Sequence, residues 1–418
     1  MSSQFSRRDW LRVSGLLTAG LGSGLRFAKA APSVGRGQSS LGQSSLGQSS
    51  LGQSSPGQSV FVNEFATLAT PPDLPKLRAR LLANENPLGI APSAKEALVK
   101  AAEIGNRYCW MEFAQLKQLI ATDEGVKPEN IMVTPGSSDV LMAAAAHYAK
   151  NSDQTRPDRT GPGIILTSAM TYDDLLERAS DFGAKIEAVP MTKDYKYDLN
   201  AIQAKLTPDV KLVYIVNPNN PTGTVVPAAD LEAFCRAVAP KVPVFIDEAY
   251  IDFYEPAERP RLGKLVSEGL NVILARTFSK IHGFAGLRLG YAVAQPDTLK
   301  SLRQYTNGEF AVGVTTIMAG IASYKDKDWQ NHCRAENAKA RTYTTKALAD
   351  MGYEVIPSSA NFILFPIRMK AKSFSNQMFA NGIGIQTREF NGQPYCRVSV
   401  GTMDEMAMFM DTFKKVVG

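Results

Sequence analysis

The chain has 418 residues, of which 44% are hydrophobic and 21% charged, which excludes a collagen, a coiled coil or a wholly disordered chain. Its 46 Lys and Arg against 40 Asp and Glu give a formal charge of +6. Most of that excess lies in residues 1–30, and the nearly balanced remainder has no dense basic stripe, so nucleic-acid binding is not predicted.

Residues 1–30 have the three parts of an export signal. Ser6-Arg7-Arg8 opens a charged region, a weakly apolar run extends from Val13 to Leu25, and Ala28-Lys29-Ala30 fits a cleavage site. The run is shorter than the ~20 residues that span a bilayer, so no stable membrane anchor is predicted. The paired arginines resemble a twin-arginine signal, which implies export by the Tat machinery to the periplasm. The alternative is an unstructured basic N-terminus.

The next segment, residues 31–59, contains a five-residue repeat that reads GQSSL three times from Gly37. Its few apolar residues cannot offset the ordering cost of about 1–2 kcal/mol per residue. Five residues are also too short to form a stacking unit of a repeat fold. A disordered linker is therefore predicted, with the folded part starting near Val60.

After Asn86, short apolar runs alternate with amphipathic stretches. Strands are predicted at Asn130–Thr134, Gly163–Thr167, Lys185–Pro190, Lys211–Val216, Val242–Asp247 and Asn271–Arg276, and helices at Ser138–Ala149 and Tyr172–Phe182. Near-continuous Val and Ile runs between helices are typical of a largely parallel sheet that is covered on both faces. The sequence therefore predicts an α/β fold.

The C-terminal part has a different pattern. A longer helical stretch from about Thr315 to Met351 precedes shorter strands at Glu354–Pro366 and Tyr395–Gly401. This order predicts a second, smaller α+β domain. The predicted organisation is an N-terminal arm (60–90) that packs with the small domain, a large domain (91–310) and the small domain (311–418).

Polar residues collect where the predicted strands end, which is where ligands bind in such folds. Thr134-Pro135-Gly136-Ser137-Ser138 forms a strand end, a small-residue turn and a helix start, and this arrangement suits an anion such as a phosphate. Asn217-Pro218-Asn219-Asn220-Pro221-Thr222-Gly223, Asp247-Glu248-Ala249-Tyr250 and Arg276-Thr277-Phe278-Ser279-Lys280 follow later strands, and Arg288 lies eight residues further on. Each could singly be a turn, a helix cap or a solvated charge.

Together and in this order, these motifs resemble the fold-type I pyridoxal-phosphate aminotransferases, specifically the histidinol-phosphate aminotransferase-like branch. The resemblance extends from Leu82-Ala83-Asn84-Glu85-Asn86-Pro87 to Arg397-Val398-Ser399-Val400-Gly401. It implies a large domain with a mostly parallel seven-stranded sheet between helices, a small α+β domain, pyridoxal phosphate as cofactor, and a homodimer. No zinc or other metal site is predicted, because the three histidines and four cysteines have no ligand spacing.

The resemblance assigns roles toward the cofactor. Lys280 would bind its aldehyde covalently and later move the proton from the donor Cα. Asp247 would keep the pyridine nitrogen protonated, and Asn220 and Tyr250 would bind the phenolic oxygen. The remaining implied cofactor contacts are Tyr172 on the ring, Gly136, Ser137, Ser138, Ser279 and Arg288 at the phosphate, and Tyr108 at the phosphate of the neighbouring subunit.

The resemblance also assigns the substrate contacts. Arg397 matches the arginine that binds the α-carboxylate, a bidentate task for which Lys is a poor substitute. Arg388 and Asn86 are the further candidates, Arg388 for a phosphate or a distal anion. The predicted reaction moves an amino group from an amino acid or amino-phosphate donor to a 2-oxo acid. The alternatives are a lyase or decarboxylase on the same fold, or a non-catalytic amine-binding protein.

Overall fold

The computed structural model describes residues 77–149 and 161–418. The predicted signal peptide, the predicted linker and the first part of the predicted arm, residues 1–76, lie outside the described residues. Within the described ranges, no helix is both long enough and apolar enough to cross a membrane.

Strands and helices alternate along most of the chain. The strands are β1 (Ala79–Arg80), β2 (Ile131–Thr134), β3 (Ile164–Ser168), β4 (Lys185–Val189), β5 (Val210–Val216), β6 (Val244–Asp247), β7 (Val272–Thr277), β8 (Gly290–Val293), β9 (Phe362–Pro366), β10 (Ile383–Gly384), β11 (Gln386–Phe390) and β12 (Gln393–Ser399). The α-helices are α1 (Pro92–Ala101), α2 (Trp110–Glu124), α3 (Ser137–Tyr148), α4 (Asp174–Asp181), α5 (Leu199–Ala204), α6 (Ala228–Val238), α7 (Gly263–Ser267), α8 (Pro296–Leu302), α9 (Val314–Lys325), α10 (Lys327–Asp350), α11 (Ala371–Ala380) and α12 (Met403–Val417).

The largest sheet has seven strands in the order β2-β8-β7-β6-β5-β3-β4. All neighbouring pairs are parallel except those of β8, which runs antiparallel to both β2 and β7. The predicted α/β fold with a mostly parallel seven-stranded sheet is therefore confirmed. Strand β8 was not located from the sequence, since four residues with a glycine carry little periodic signal.

Alternating residues of each strand pack into two different cores. In β5, Leu212, Tyr214 and Val216 face one core, while Val213 and Ile215 face the other. Helices α3, α4 and α8 contribute apolar residues to the core that contains Tyr214. Helices α2, α6 and α9 contribute to the core that contains Ile215. Burial on both faces accounts for the continuous apolar runs, because a strand covered on both sides has no solvent-facing positions.

A separate core forms around the C-terminal elements. Strands β11, β12 and β9 make an antiparallel sheet in that order, and β1 pairs in parallel with β10. Helices α10, α11 and α12 cover these strands, with Phe374, Phe409 and Phe413 fully buried. A domain boundary at residue 310 stays a prediction.

The helical stretch predicted from about Thr315 to Met351 consists of two helices. Helix α9 ends at Lys325 and α10 begins at Lys327. The Asp326 side chain accepts a hydrogen bond from Trp329 N at 3.0 Å and another from Ser93 Oγ. An N-cap aspartate favours a new helix start, which accounts for the break between the two helices.

Candidate active site

A cavity of about 1440 Å³ lies where β2, β3, β5, β6 and β7 end, facing the β11–β12 hairpin. The carboxyl ends of parallel strands meet at one edge of a sheet, so residues far apart in sequence converge there. The predicted site residues that line this cavity are Ser137, Ser138, Tyr172, Asn220, Asp247, Tyr250, Ser279, Lys280, Arg288, Arg388 and Arg397.

Lys280 lies three residues past the end of β7. Its Nζ donates to Ala83 O at 3.2 Å and lies 5.5 Å from the centroid of the Tyr250 ring. Burial lowers the pKa of the Lys280 ammonium to about 8, and the positive charge of Arg397 acts in the same direction. At pH 7 this lysine is still mainly protonated, but its neutral fraction is far larger than that of an ordinary lysine, and the neutral amine is the form that attacks carbonyls and accepts protons.

Asp247 is the last residue of β6 and only 2% exposed. Its Oδ1 accepts a hydrogen bond from Ala249 N at 3.0 Å. Burial raises the pKa of this carboxyl to about 7, although the Ala249 hydrogen bond and the Lys280 charge oppose the rise. A carboxyl in this state is suited to bind a proton or a protonated ring nitrogen beside it.

The start of α3 and the loop after β7 form an anion cradle. Gly136 caps α3 with a φ of 90°, and Ser137 and Ser138 are the first helical residues, whose N–H groups have no partner within the helix. The Arg288 guanidinium reaches across this turn and lies 3.4 Å from Ser279 Oγ. A Cβ at position 136 would clash with Arg288 Nη2, so a larger residue there would displace the guanidinium from its present place.

Tyr172, Tyr250 and Asn220 also line the cavity. The Tyr250 hydroxyl accepts a hydrogen bond from Asn84 Nδ2 at 3.0 Å, and Asn220 Oδ1 accepts one from Arg397 Nη1 at 2.7 Å. Burial raises the pKa of both Tyr172 and Tyr250, so both hydroxyls stay protonated at neutral pH. They can therefore act as hydrogen-bond donors to a ligand oxygen.

Arg397 and Arg388 approach the cavity from neighbouring strands, β12 and β11. Arg397 is 6% exposed, and besides Asn220 it binds Leu82 O at 3.0 Å through Nη2, while its buried Nε has no partner among the described residues. Arg388 donates to Gln386 Oε1 at 3.1 Å. Burial lowers the pKa of Arg397 to about 10, so the group remains cationic at neutral pH.

Three predicted site residues, Gly136, Asn86 and Tyr108, do not line the cavity. Gly136 directly precedes Ser137, which does. Asn86 Nδ2 donates to Ile281 O at 2.8 Å and to Cys333 Sγ at 3.3 Å, which turns its side chain toward a separate small pocket. Tyr108 is 78% exposed and its ring lies against Trp110 and Phe310. The structure therefore places Asn86 outside the main cavity, and the predicted roles of Asn86 and Tyr108 stay predictions.

Sequence reasoning missed Asn84 and Gln386, which both line the cavity. Asn84 has a φ of 52°, a left-handed conformation that asparagine tolerates better than most residues, and it contacts Tyr250 directly. Gln386 alternates with Arg388 on β11, so the two share a face. The two-residue spacing from Arg388 was the sequence signal that could have identified Gln386. Asn84 and Asn86 lie in one motif, and the sequence does not show which of the two amides reaches the cavity.

Replacing Asp247 by Asn is expected to stabilise the cofactor-free protein, and to do so more at pH 8 than at pH 5. Because the carboxyl keeps its proton up to pH about 7 when folded but only to about 4 when unfolded, the free energy of unfolding falls as the pH rises through that window. Asparagine does not titrate, so the difference in the free energy of unfolding between the variant and the wild type should grow by about 2–3 kcal/mol from pH 5 to pH 8.

Urea unfolding at both pH values measures the gain, with the exposed Asp411→Asn as the matched control. The same gain at pH 5 and pH 8 would contradict the raised pKa of Asp247.

The chain resembles known proteins over most of its length. The family model for aminotransferase class I and II matches residues 79–413. Histidinol-phosphate aminotransferase of Moorella thermoacetica is 32% identical over 81% of this chain and 85% of that protein, and histidinol-phosphate aminotransferase 2 of Ralstonia nicotianae is 34% identical over 78% and 86%. The crystal structure of histidinol-phosphate aminotransferase from Sinorhizobium meliloti in complex with pyridoxal-5'-phosphate superposes with a TM-score of 0.74 at 28% identity, covering 82% of this chain and 91% of that one.

Proposed function

This chain belongs to aminotransferase class I and II, and we propose that it takes its amino group from α-amino acids whose carboxylate is bound by Arg397. The protein is a pyridoxal-phosphate-dependent aminotransferase that uses an amino donor and a 2-oxo acid acceptor. When bound, pyridoxal phosphate supplies an electron sink for the bond that breaks at the donor Cα.

The residues at the cavity fit this cofactor. Gly136 leaves space for the Arg288 guanidinium next to the free N–H groups of Ser137 and Ser138. The guanidinium and these N–H groups are two kinds of donor for a phosphate. The buried Asp247 carboxyl suits a protonated ring nitrogen, and Lys280 supplies the amine that binds an aldehyde. We assign these roles on the chemistry of the donor set.

Lys280 has two tasks in the proposed mechanism. Its neutral amine would bind the cofactor aldehyde, and Lys280 Nζ, once free, would take the proton from the donor Cα and deliver a proton to the cofactor. The depressed pKa supports both tasks, because each requires the neutral amine at some stage. Ala83 O, at 3.2 Å, would hold the released amine near the reacting atoms.

Asp247 and Tyr250 would act on the electronics of the site. Asp247 would keep the ring nitrogen protonated, and beside that cation the pKa of the carboxyl should fall from the raised value that burial gives it. The Tyr250 hydroxyl accepts from Asn84, so its own proton is free to be donated into the cavity. Asn220 is fixed by Arg397, which links the cofactor side of the site to the substrate side.

The single observation that carries the donor assignment is the unpartnered Nε of Arg397. A buried guanidinium N–H without a partner costs free energy, and a ligand carboxylate would satisfy it together with a second N–H. The relatives are named for histidinol phosphate, but we propose amino acids as the donors in the cell. The predicted export would separate the enzyme from histidine biosynthesis in the cytoplasm.

Mixing the cofactor-loaded enzyme with single amino acids tests this function. A good donor should change the absorbance of the bound cofactor once per active site, and a 2-oxo acid should reverse the change. Continuous release of ammonia or of a 2-oxo acid without any acceptor would instead identify a lyase. A purified protein that never takes up the coloured cofactor would favour a binding protein.

We further propose that the enzyme is exported by the Tat route, as the paired Arg7 and Arg8 support. The mature protein should begin near Ala31 in the periplasm, because a twin-arginine signal allows a cofactor enzyme to fold before it crosses. Arg7→Lys with Arg8→Lys should leave the protein in the cytoplasm, whereas Arg12→Lys, outside the pair, should not. Periplasmic protein whose N-terminal sequence still starts at Met1 would contradict the proposal.

We also propose that the active form is a homodimer. Tyr108, Trp110 and Met111 are 78%, 63% and 78% exposed, and the Trp110 and Phe310 ring centroids lie 4.3 Å apart. An exposed aromatic cluster of this kind supports a protein interface. Sedimentation should give twice the chain mass for the wild type and monomers for Trp110→Glu; a monomeric, fully active wild type would contradict a dimer.

A further inference from the structure

Three buried charged residues meet behind the cavity. Arg276 Nε donates to Glu248 Oε2 at 2.7 Å, and Arg276 Nη1 donates to Glu124 Oε1. The side chains of Arg276, Glu248 and Glu124 are 4%, 0% and 6% exposed. None of the three lines the cavity, so this trio can influence the reaction only through other residues.

The trio joins the two chain segments that carry Asp247 and Lys280. Strands β6 and β7 are parallel neighbours, with Asp247 opposite Ala275, and Glu248 N donates to Ala275 O at 2.9 Å. Glu248 follows Asp247 directly, and Arg276 precedes Lys280 by four residues. The ion pair therefore fixes the strand ends at the point where both segments leave the sheet.

Glu124 attaches the pair to a third element. It is the last residue of α2, and the preceding Asp123 carboxylate accepts a hydrogen bond from the Tyr324 hydroxyl on α9 at 2.9 Å. Helices α2 and α9 pack against the same core as the apolar residues of β6 and β7. The trio is thus anchored to the helical layer and is not free to shift with the loops around the cavity.

Stability alone is a weak reason for such a trio. Replacing a buried ion pair by well-packed neutral side chains is often neutral or stabilising, since the charges lose their hydration on burial. What directional, charge-assisted hydrogen bonds add over apolar packing is a fixed orientation of the groups that they join. Catalysis depends on such orientation, and a displacement of about 1 Å can cost about 100-fold in rate.

We propose that Arg276 and Glu248, anchored by Glu124, are positioning residues that fix the distance between the Asp247 carboxylate and the Lys280 amine. The proposal rests on the proposed roles of those two residues. It predicts that removing the charges leaves a folded protein that binds the cofactor less tightly and has a lower kcat.

The test is the triple variant Arg276→Met, Glu248→Gln, Glu124→Gln, which removes all three charges at nearly constant volume. We expect thermal unfolding close to wild type, a roughly 10- to 100-fold lower kcat with KM for a good donor nearly unchanged, and a weaker, altered circular dichroism of the bound cofactor. The dissociation constant of the cofactor, measured by its fluorescence, should be about tenfold lower in the wild type than in the variant. Glu248→Gln alone should move the same readouts less, and it keeps the proposal testable if the triple variant does not fold.

The matched control is a second ion pair of the same region, Arg259–Asp252 at 3.0 Å, which does not join β6 to β7. Arg259→Met with Asp252→Asn should leave kcat and the dichroism within about twofold of wild type. A charge-free trio with wild-type kcat and dichroism would overturn the proposal, and so would equal losses in the control. The wild type assayed in parallel separates the two hypotheses, because failure of the proposed function would appear there first.

Discussion

Lys280→Ala is expected to abolish amino transfer, with turnover reduced by more than about 1,000-fold. The variant loses both the amine that binds the cofactor aldehyde and the base at the donor Cα. The fold should remain intact, because within the described residues Lys280 Nζ makes only two contacts, with the Ala83 carbonyl and with the face of the Tyr250 ring. Its thermal unfolding should therefore match that of the wild type within a few degrees.

Borohydride reduction of the wild-type enzyme followed by peptide mass spectrometry identifies the lysine that binds the cofactor. We expect the modified peptide to contain Lys280. The matched control is Lys372→Ala, which removes an exposed lysine from the rim of the same cavity and should retain wild-type turnover. Cofactor found on another lysine, or an active Lys280→Ala, would end the proposed mechanism.

The parts of the site that the sequence could predict follow buried strands directly. Asp247 and Lys280 stand next to apolar runs that are long enough to be recognised, and parallel strands bring their carboxyl ends to one edge. The convergence of these residues on one cavity therefore follows from the strand pattern. The same reasoning places Ser137 and Tyr172 near their observed positions.

The parts that could not be predicted depend on contacts between distant segments. Asn84 and Asn86 share a motif and a residue type, and only the left-handed backbone at Asn84 turns its amide to Tyr250. The Arg276–Glu248 pair crosses between strands, and a single sequence gives no sign of which charges will be buried together. Strand β8 was missed for a related reason, since its antiparallel insertion between β2 and β7 is a property of the whole sheet.

Arg397→Ala is expected to reduce kcat/KM for every amino acid donor by similar factors. All donors share the α-carboxylate, and losing one partner of a buried charge pair costs roughly 2–5 kcal/mol, which corresponds to about 30-fold or more. The change also leaves Asn220 Oδ1 and Leu82 O without their donor, so the cofactor side of the site is affected as well. Arg397→Lys keeps the charge but cannot make the bidentate contact, and most of the loss should persist in it.

Arg388 should behave differently, because Gln386 Oε1 holds it at the cavity and we assign the α-carboxylate to Arg397 instead. Arg388→Ala should lower kcat/KM for donors with an acidic side chain or a phosphate and leave neutral donors nearly unchanged. Comparing both variants across acidic, neutral and phosphorylated donors separates the two roles, since kcat/KM reports binding of the transition state. Uniform losses in Arg388→Ala would mean that it supports the site as a whole. Wild-type efficiency of Arg397→Ala with any good donor would refute the carboxylate assignment, and the unpartnered Nε would then need another ligand.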